Sequence, residues 1–143
     1  MNLANFPGLT AAGYEVTSPI SGRYNCIAWA ANQTDRDWWP EDPPRDAFWP
    51  EGVTPEPTLD AFIQAFGTLG YEPCDNSEFE PGYEKLAIYV LSDEVTHAAR
   101  QLGPNEWTSK IGHSEDITHT LSGLVGPLYG AVRQFMRRAT KVV

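Results

Sequence analysis

Cys26 stands where a short, almost wholly apolar segment begins, and its position could make its thiol a nucleophile. Asn25 is a good N-cap residue, so Cys26 is predicted to be the first residue of a buried helix that runs to about Asn32. The positive end of a helix dipole and its unpaired N–H groups favour a thiolate, and they could also stabilise an oxyanion. The alternative is that Cys26 only fills the core, since free cysteine is among the most buried residue types.

His97 is the predicted general base for this thiol. It lies near the start of the second of three strands that follow one another between Leu86 and Ile111. An imidazole packed opposite Cys26 would accept the thiol proton, and the resulting cation would hold the thiolate. Alone, His97 could be a half-buried strand residue with a satisfied backbone hydrogen bond, so its pairing with Cys26 is what favours the catalytic interpretation.

A third group is needed to orient the imidazole through its other nitrogen. Asp116 is preferred, because the chain that leaves the third strand passes the end of the hairpin at which His97 lies. Glu115, Ser109 and Lys110 remain competing candidates, since strand register cannot be fixed from sequence. The acidic pair at 115 and 116 could instead belong to a solvated loop.

The elements expected to position these residues form an α+β domain. After the Cys26 helix comes an amphipathic packing helix, which Thr58 caps and Gly70 ends. Period-two and apolar segments then predict an antiparallel sheet of about four strands, at 86–91, 95–102, 107–111 and 128–136. Both helices are expected on one face of this sheet. The single domain 1–143 would have a surface-wrapping segment 1–23 and a frayed tail 139–143.

Three tryptophans lie in a long, proline-rich loop between the two helices: Trp38, Trp39 and Trp49. Loops of this length are either functional or mobile, and this one is too aromatic to be simply disordered. The tryptophans could form a wall or lid beside the cysteine, or they could cap the core where no regular element covers it. Both interpretations remain open, because functional and core-closing loops look alike in sequence.

The charge of the chain argues against two classes of partner. Its 143 residues carry 10 basic and 19 acidic side chains, and the net charge of −9 disfavours a nucleic-acid backbone or an anionic membrane.

No segment approaches the ~20 apolar residues of a membrane span, and the first 14 residues lack a signal-peptide pattern. Two cysteines, Cys26 and Cys74, are too few for a disulfide framework, so a soluble cytoplasmic protein is expected.

A zinc site is the main rival to the thiol nucleophile. The chain offers nitrogen and sulfur ligands of the kind that zinc prefers. They are Cys26, Cys74, His97, His113 and His119. Their spacing is loose and no Cys-x-x-Cys is present, so we expect no metal and no other cofactor.

Several motifs resemble those of an uncharacterised bacterial domain family that is similar to compact papain-like cysteine peptidases and amidases. The motifs are YNCIAWA at 24–30, WWP at 38–40, THAARQL at 96–102, WTSKIG at 107–112 and EDITH at 115–119. The resemblance extends from Tyr24 to Arg138, with Ile111 and His113 as mild departures. It implies a papain-like fold and supports Cys26 and His97, but it implies no substrate.

The preferred function is a thiol hydrolase that cleaves an amide or peptide bond through an acyl-enzyme at Cys26, with His97 as base and Asp116 as its orienting group. The expected oxyanion and substrate-binding residues are Asn25, Tyr24, Trp38, Trp39, Trp49 and Lys110. A glutamine deamidase or acyl transferase could use the same pair. A catalytically silent module that binds a partner through the tryptophan loop is the alternative from another class. We expect Cys26 to be more reactive than Cys74.

Overall fold

A computed structural model of the chain describes residues 3–18, 21, 23–41, 47–111 and 115–140. These residues build one antiparallel sheet of seven strands with short helices on both faces. The helices are α1 (Pro7–Ala12), α2 (Cys26–Ala30) and α3 (Leu59–Gly67), with 3-10 turns at Leu3–Asn5 and Leu121–Leu124. The strands are β1 (Tyr14–Ser18), β2 (Glu72–Cys74), β3 (Tyr83–Leu91), β4 (Glu94–Gly103), β5 (Glu106–Lys110), β6 (Asp116–His119) and β7 (Ala131–Ala139). Their order across the sheet is β1-β6-β5-β4-β3-β7-β2.

The α+β prediction is confirmed, but the sheet has seven strands and not four. The strands missed in the sequence are β1, β2 and β6, which have five, three and four residues. Segments this short carry little periodic signal. The last strand also runs from Ala131 to Ala139, later than the predicted 128–136.

The two ends of the chain contain more structure than expected. The N-terminal segment includes α1 and the edge strand β1. Ala139 still belongs to β7, and the backbone N–H of Thr140 donates to the carbonyl oxygen of Gly82 at 2.8 Å. Of the tail that was expected to fray, residues 141–143 lie outside the described residues.

Each strand places alternate side chains on opposite faces of the sheet. Helices α2 and α3 cover one face, called here the α3 face, while α1 and the turn Leu121–Leu124 cover the other, the α1 face. Leu86 and Ile88 of β3 pack on the α3 face, and Ala87 and Tyr89 pack on the α1 face. Burial on both sides explains why this strand reads as a continuous apolar run.

A bulge in β4 decides which face its side chains reach. Tyr89 of β3 pairs with His97, and Val90 pairs with Val95, so Thr96 is an extra residue on β4. Val95 and Ala98 both pack on the α3 face although they are three positions apart. His97, between the bulge and Ala98, therefore points to the α1 face.

Candidate functional site

The start of α2 is built as the sequence predicts. Asn25 is the N-cap, and its Oδ1 accepts hydrogen bonds from the backbone N–H of Ala28 at 3.0 Å and of Trp38 at 3.1 Å. Its Nδ2 donates to the Trp38 carbonyl oxygen at 2.9 Å. Cys26 is the first residue of the helix, and Asn25 clamps the following loop against it.

The Cys26 thiol is buried, and its chemistry differs from the prediction. The residue is 7% exposed within the core of the α3 face. Burial raises the pKa of the thiol to about 12, although backbone N–H groups of Ile27, Ala98 and Cys26 itself act in the opposite direction. Desolvation therefore outweighs the helix N-terminus, and the group is a neutral thiol at neutral pH.

His97 does not meet Cys26. Its imidazole lies on the α1 face, stacked on the Tyr129 ring at 4.1 Å between centroids and edge-on to Tyr89 at 5.3 Å. Its Nε2 is 2.9 Å from Ser109 Oγ. The predicted Cys26–His97 pair is thus corrected, because the bulge at Thr96 turns the imidazole to the face opposite the thiol.

Asp116 does not orient His97 either. Its side chain is buried on the α3 face, where Oδ2 accepts a hydrogen bond from Tyr24 Oη at 2.7 Å. Lys110 is its cross-strand neighbour, with Nζ 4.0 Å from Asp116 Oδ1 and 4.8 Å from the centre of the Tyr24 ring. The Asp116 carboxylate is therefore part of a buried ion pair, and among the four candidates for the third role Ser109 is the one that contacts His97.

Burial also changes the pKa of Lys110. Removal from water lowers the pKa of its ammonium group, whereas the carboxylates of Asp116, Glu115 and Asp37, and then Cys26, act to raise it. Lys110 is therefore a structural cation beside Asp116, not a group that meets solvent at a groove.

Two other expected oxyanion donors are already engaged. The side chain of Asn25 is used in the cap and the loop clamp, and the Tyr24 hydroxyl donates to Asp116. Because neither group is directed at Cys26 as a spare donor, the predicted oxyanion site is not assembled from them. Gly112 and His113 of the third-strand motif lie outside the described residues.

The tryptophan loop closes the core. Trp38 is buried and packs against Phe48 at 4.7 Å between ring centroids. Trp39 and Trp49 meet the Phe62 ring of α3 edge-on, at 5.6 Å and 5.0 Å. These contacts favour the core-capping interpretation over a lid or a substrate wall.

The structure reveals a polar chain that sequence reasoning missed. Ser109 Oγ lies between His97 Nε2, at 2.9 Å, and His119 Nε2, at 2.6 Å, while His119 Nδ1 is 2.6 Å from the Thr120 carbonyl oxygen. The sequence suggests a role for His119 only as a possible zinc ligand. The period-two rule places Ser109 and Trp107 on one face, but the β5–β6 register that brings His119 to the same face is not readable from sequence.

The proton positions along this series of hydrogen bonds follow from the backbone carbonyl oxygen at one end of it. The Thr120 carbonyl can only accept, so His119 Nδ1 carries the proton. Burial lowers the pKa of His119 to about 4, and burial lowers that of His97 well below its ordinary value, so both rings are neutral at pH 7. Ser109 therefore donates to His119 Nε2 and accepts from His97 Nε2, which leaves the buried His97 Nδ1 without a hydrogen bond among the described residues.

Acid is expected to destabilise the fold through His119. The folded pKa of about 4 lies below the ordinary value of 6.5, so the unfolded chain gains the proton first as the pH falls. No effect is expected above pH 6.5, and stability should fall by about 3 kcal/mol from there to the folded pKa. Urea unfolding at neutral pH and near about pH 4.5 should therefore show a smaller acid loss in His119→Gln than in the parent. Equal losses in both proteins would contradict this.

Two findings concern metals and membranes. Within the described ranges, no group of three or more His, Cys, Asp or Glu side chains is arranged to hold a metal ion, and His113 lies outside those ranges. In the same part of the chain, none of the helices has the length and apolar character needed to cross a bilayer.

Comparison with known proteins identifies one family. The family described as "Domain of unknown function (DUF7689)" matches residues 15–137, which include all seven strands in whole or in part. No curated protein matched the chain, and no solved structure matched it.

Proposed function

The chain belongs to the DUF7689 family, whose description assigns no activity, and we propose from its own geometry that it is a catalytically silent binding module. The observation that carries this proposal is the position of Cys26 and His97 against opposite faces of the sheet. A thiol with a raised pKa and an imidazole with a lowered pKa cannot form the charged pair that thiol hydrolysis uses.

Support for binding also comes from how the potential catalytic groups are used. Asn25 clamps a loop, Asp116 holds Lys110 and Tyr24, and Ser109 links two histidines. Each contact joins two elements of the fold, so these side chains fix the scaffold. Such a scaffold would present a surface to a ligand without converting it.

The proposal predicts that Cys74, and not Cys26, is the thiol that reacts first. Cys74 is partly exposed on the edge strand β2, whereas Cys26 is buried and neutral. Alkylation of the native protein at neutral pH should modify Cys26 at least about tenfold more slowly, since each unit of pKa lowers the thiolate fraction tenfold.

Peptide mass mapping would measure both rates, with Cys26→Ser and Cys74→Ser as controls that each leave one thiol. In denaturant the two rates should become similar. Faster alkylation of native Cys26 would contradict the proposal.

A thiol hydrolase at Cys26 is the second candidate function. It is favoured by one observation: the Lys110 ammonium group lies over the ring of Tyr24, which belongs to the same core cluster as Cys26. In this candidate Lys110 would have to lose the charge that it pairs with Asp116 before its amine could take the thiol proton in place of His97. The resemblance of the motifs to papain-like peptidases and amidases supports this candidate, and the alkylation experiment decides between the two. A cytoplasmic location belongs to both proposals, because both cysteines are free.

A further inference from the structure

Two buried hydrogen-bond donors on the α3 face have no acceptor in the part of the chain that the structure describes. The Tyr71 hydroxyl belongs to a residue that is 4% exposed, and it makes no hydrogen bond to any described residue. The Nε–H of Arg100 on β4 is also buried and also lacks an acceptor in that part of the chain. Buried donors without acceptors are uncommon in native proteins and call for a water, an ion or a ligand.

The Nε–H of Arg100 has no carboxylate partner among the described residues. Its guanidinium lies over the Trp29 ring, 5.1 Å from the ring centre, and burial lowers its pKa. The Tyr71 phenol and the Glu84 carboxylate act electrostatically to raise the pKa of Arg100. Neither of them is hydrogen-bonded to Arg100. An arginine positioned on an aromatic ring keeps its planar donors available for an oxyanion.

A second guanidinium lies beside Tyr71. Arg138 of β7 sits over the Tyr71 ring at 4.5 Å, donates from Nη1 to the Leu69 carbonyl oxygen at 3.0 Å and pairs through Nε with Glu84. Both arginines also act electrostatically on Tyr71, and Arg138 is in direct contact with its ring. Glu84 pairs with Arg138, whereas Glu84 and Asp116 act on Arg100 electrostatically, without a hydrogen bond to its Nε.

A cleft lies beside this cluster and reaches it at Arg138. A cleft of about 630 Å³ is lined by Leu69 and Gly70 after α3, by Glu84 and Arg138 on the sheet, and by Ala139 and Thr140 at the end of β7. Arg138 belongs both to this lining and to the group of donors, and Tyr71 directly follows Gly70.

We propose that Arg100, Arg138 and Tyr71, defined here as the oxyanion cluster, bind the carboxylate or phosphate group of a small ligand that enters through this cleft. The Arg100 Nε–H and the Tyr71 hydroxyl are donors without an acceptor among the described residues, which suits an oxyanion and excludes a cation. This proposal rests on the proposed function in one respect, namely that the ligand is held and not converted.

Titration of the full chain with inorganic phosphate, followed by calorimetry, tests the proposal. At constant ionic strength adjusted with chloride, the parent should bind phosphate saturably. Tyr71→Phe, which removes only the hydroxyl, should weaken binding by about tenfold, as expected for one charge-assisted hydrogen bond. Tyr83→Phe is the matched control, because Arg137 lies over the Tyr83 ring at 4.6 Å in a similar arrangement outside the cluster. That variant should bind like the parent. Acetate in a parallel titration distinguishes a carboxylate from a phosphate ligand.

The parent protein provides a second readout that needs no variant. The Arg100 Nε–H signal in a nitrogen-15 NMR spectrum should move as phosphate is added, whereas that of Arg137 should not. Absence of saturable binding of both anions, or equal binding by Tyr71→Phe and Tyr83→Phe, would overturn the oxyanion cluster. Such a result would leave the alkylation rates of Cys26 and Cys74 unchanged, so it is distinguishable from failure of the proposed function.

Discussion

Replacing Lys110 by methionine is expected to lower the free energy of unfolding by about 3–5 kcal/mol, because the change leaves an unpaired charge in the core. Asp116 is 0% exposed, and without Lys110 its carboxylate keeps, among the described side chains, only the Tyr24 hydroxyl as a hydrogen-bond donor. Urea denaturation followed by circular dichroism would measure the loss.

The double variant Lys110→Met/Asp116→Asn is the control for this prediction. Removing both charges removes the desolvation cost of burying them as well as their mutual attraction. The double variant should therefore be more stable than Lys110→Met alone. If the losses of the two single variants simply add, Lys110 and Asp116 do not form the buried pair described here.

Gly130→Ala should destabilise the protein by a similar amount, about 3–5 kcal/mol. Gly130 has φ of 78°, and a Cβ built on it would lie 2.0 Å from the Val90 carbonyl oxygen. The backbone of β3 or the start of β7 would have to move, because the obstructing atom is main chain and not a flexible side chain.

Gly67→Ala is the matched control at the end of α3. A Cβ there meets no atom within 4 Å, so alanine should stabilise the helix by about 0.5–1 kcal/mol. Thermal or urea unfolding of both variants would measure the contrast. If Gly130→Ala lowers the free energy of unfolding by no more than the amount by which Gly67→Ala changes it, β3 and the Gly126–Gly130 turn are not packed as described.

Features set by neighbouring residues could be predicted from the sequence. Asn25 caps α2 and Thr58 caps α3, as the residue types at those positions indicate, with Thr58 Oγ1 accepting from Ala61 N at 3.3 Å. The apolar run after Lys85 is a buried strand, because β3 packs against a core on each side. These signals need no knowledge of how distant segments meet.

The candidate site depended on strand register, which local patterns do not contain. One extra residue, Thr96, decides that His97 stacks on Tyr129 and does not approach Cys26. The pairing of Lys110 with Asp116 and the meeting of Ser109 with His119 likewise follow from the β5–β6 register. The candidate residues are largely buried, and the strand register decides which of them share a face of the sheet and meet.

The pKa prediction for Cys26 was wrong for a different physical reason. A helix N-terminus favours a thiolate only where the sulfur keeps contact with water or a cation. Here α2 packs against β4 and β5, and Cys26 lies in the core, so the desolvation effect dominates. The burial of a five-residue helix depends on its tertiary neighbours and not on its own sequence.

The position of the His97 ring is the most direct test of the central claim, that the thiol and the imidazole lie against opposite faces of the sheet. Nuclear Overhauser contacts from the His97 ring protons would measure it in solution. The structure predicts contacts to the ring of Tyr129, whose centroid is 4.1 Å away, and to the ring of Tyr89. Contacts from the His97 ring to the Cys26 β-protons, with none to Tyr129, would contradict the claim and restore the catalytic pair.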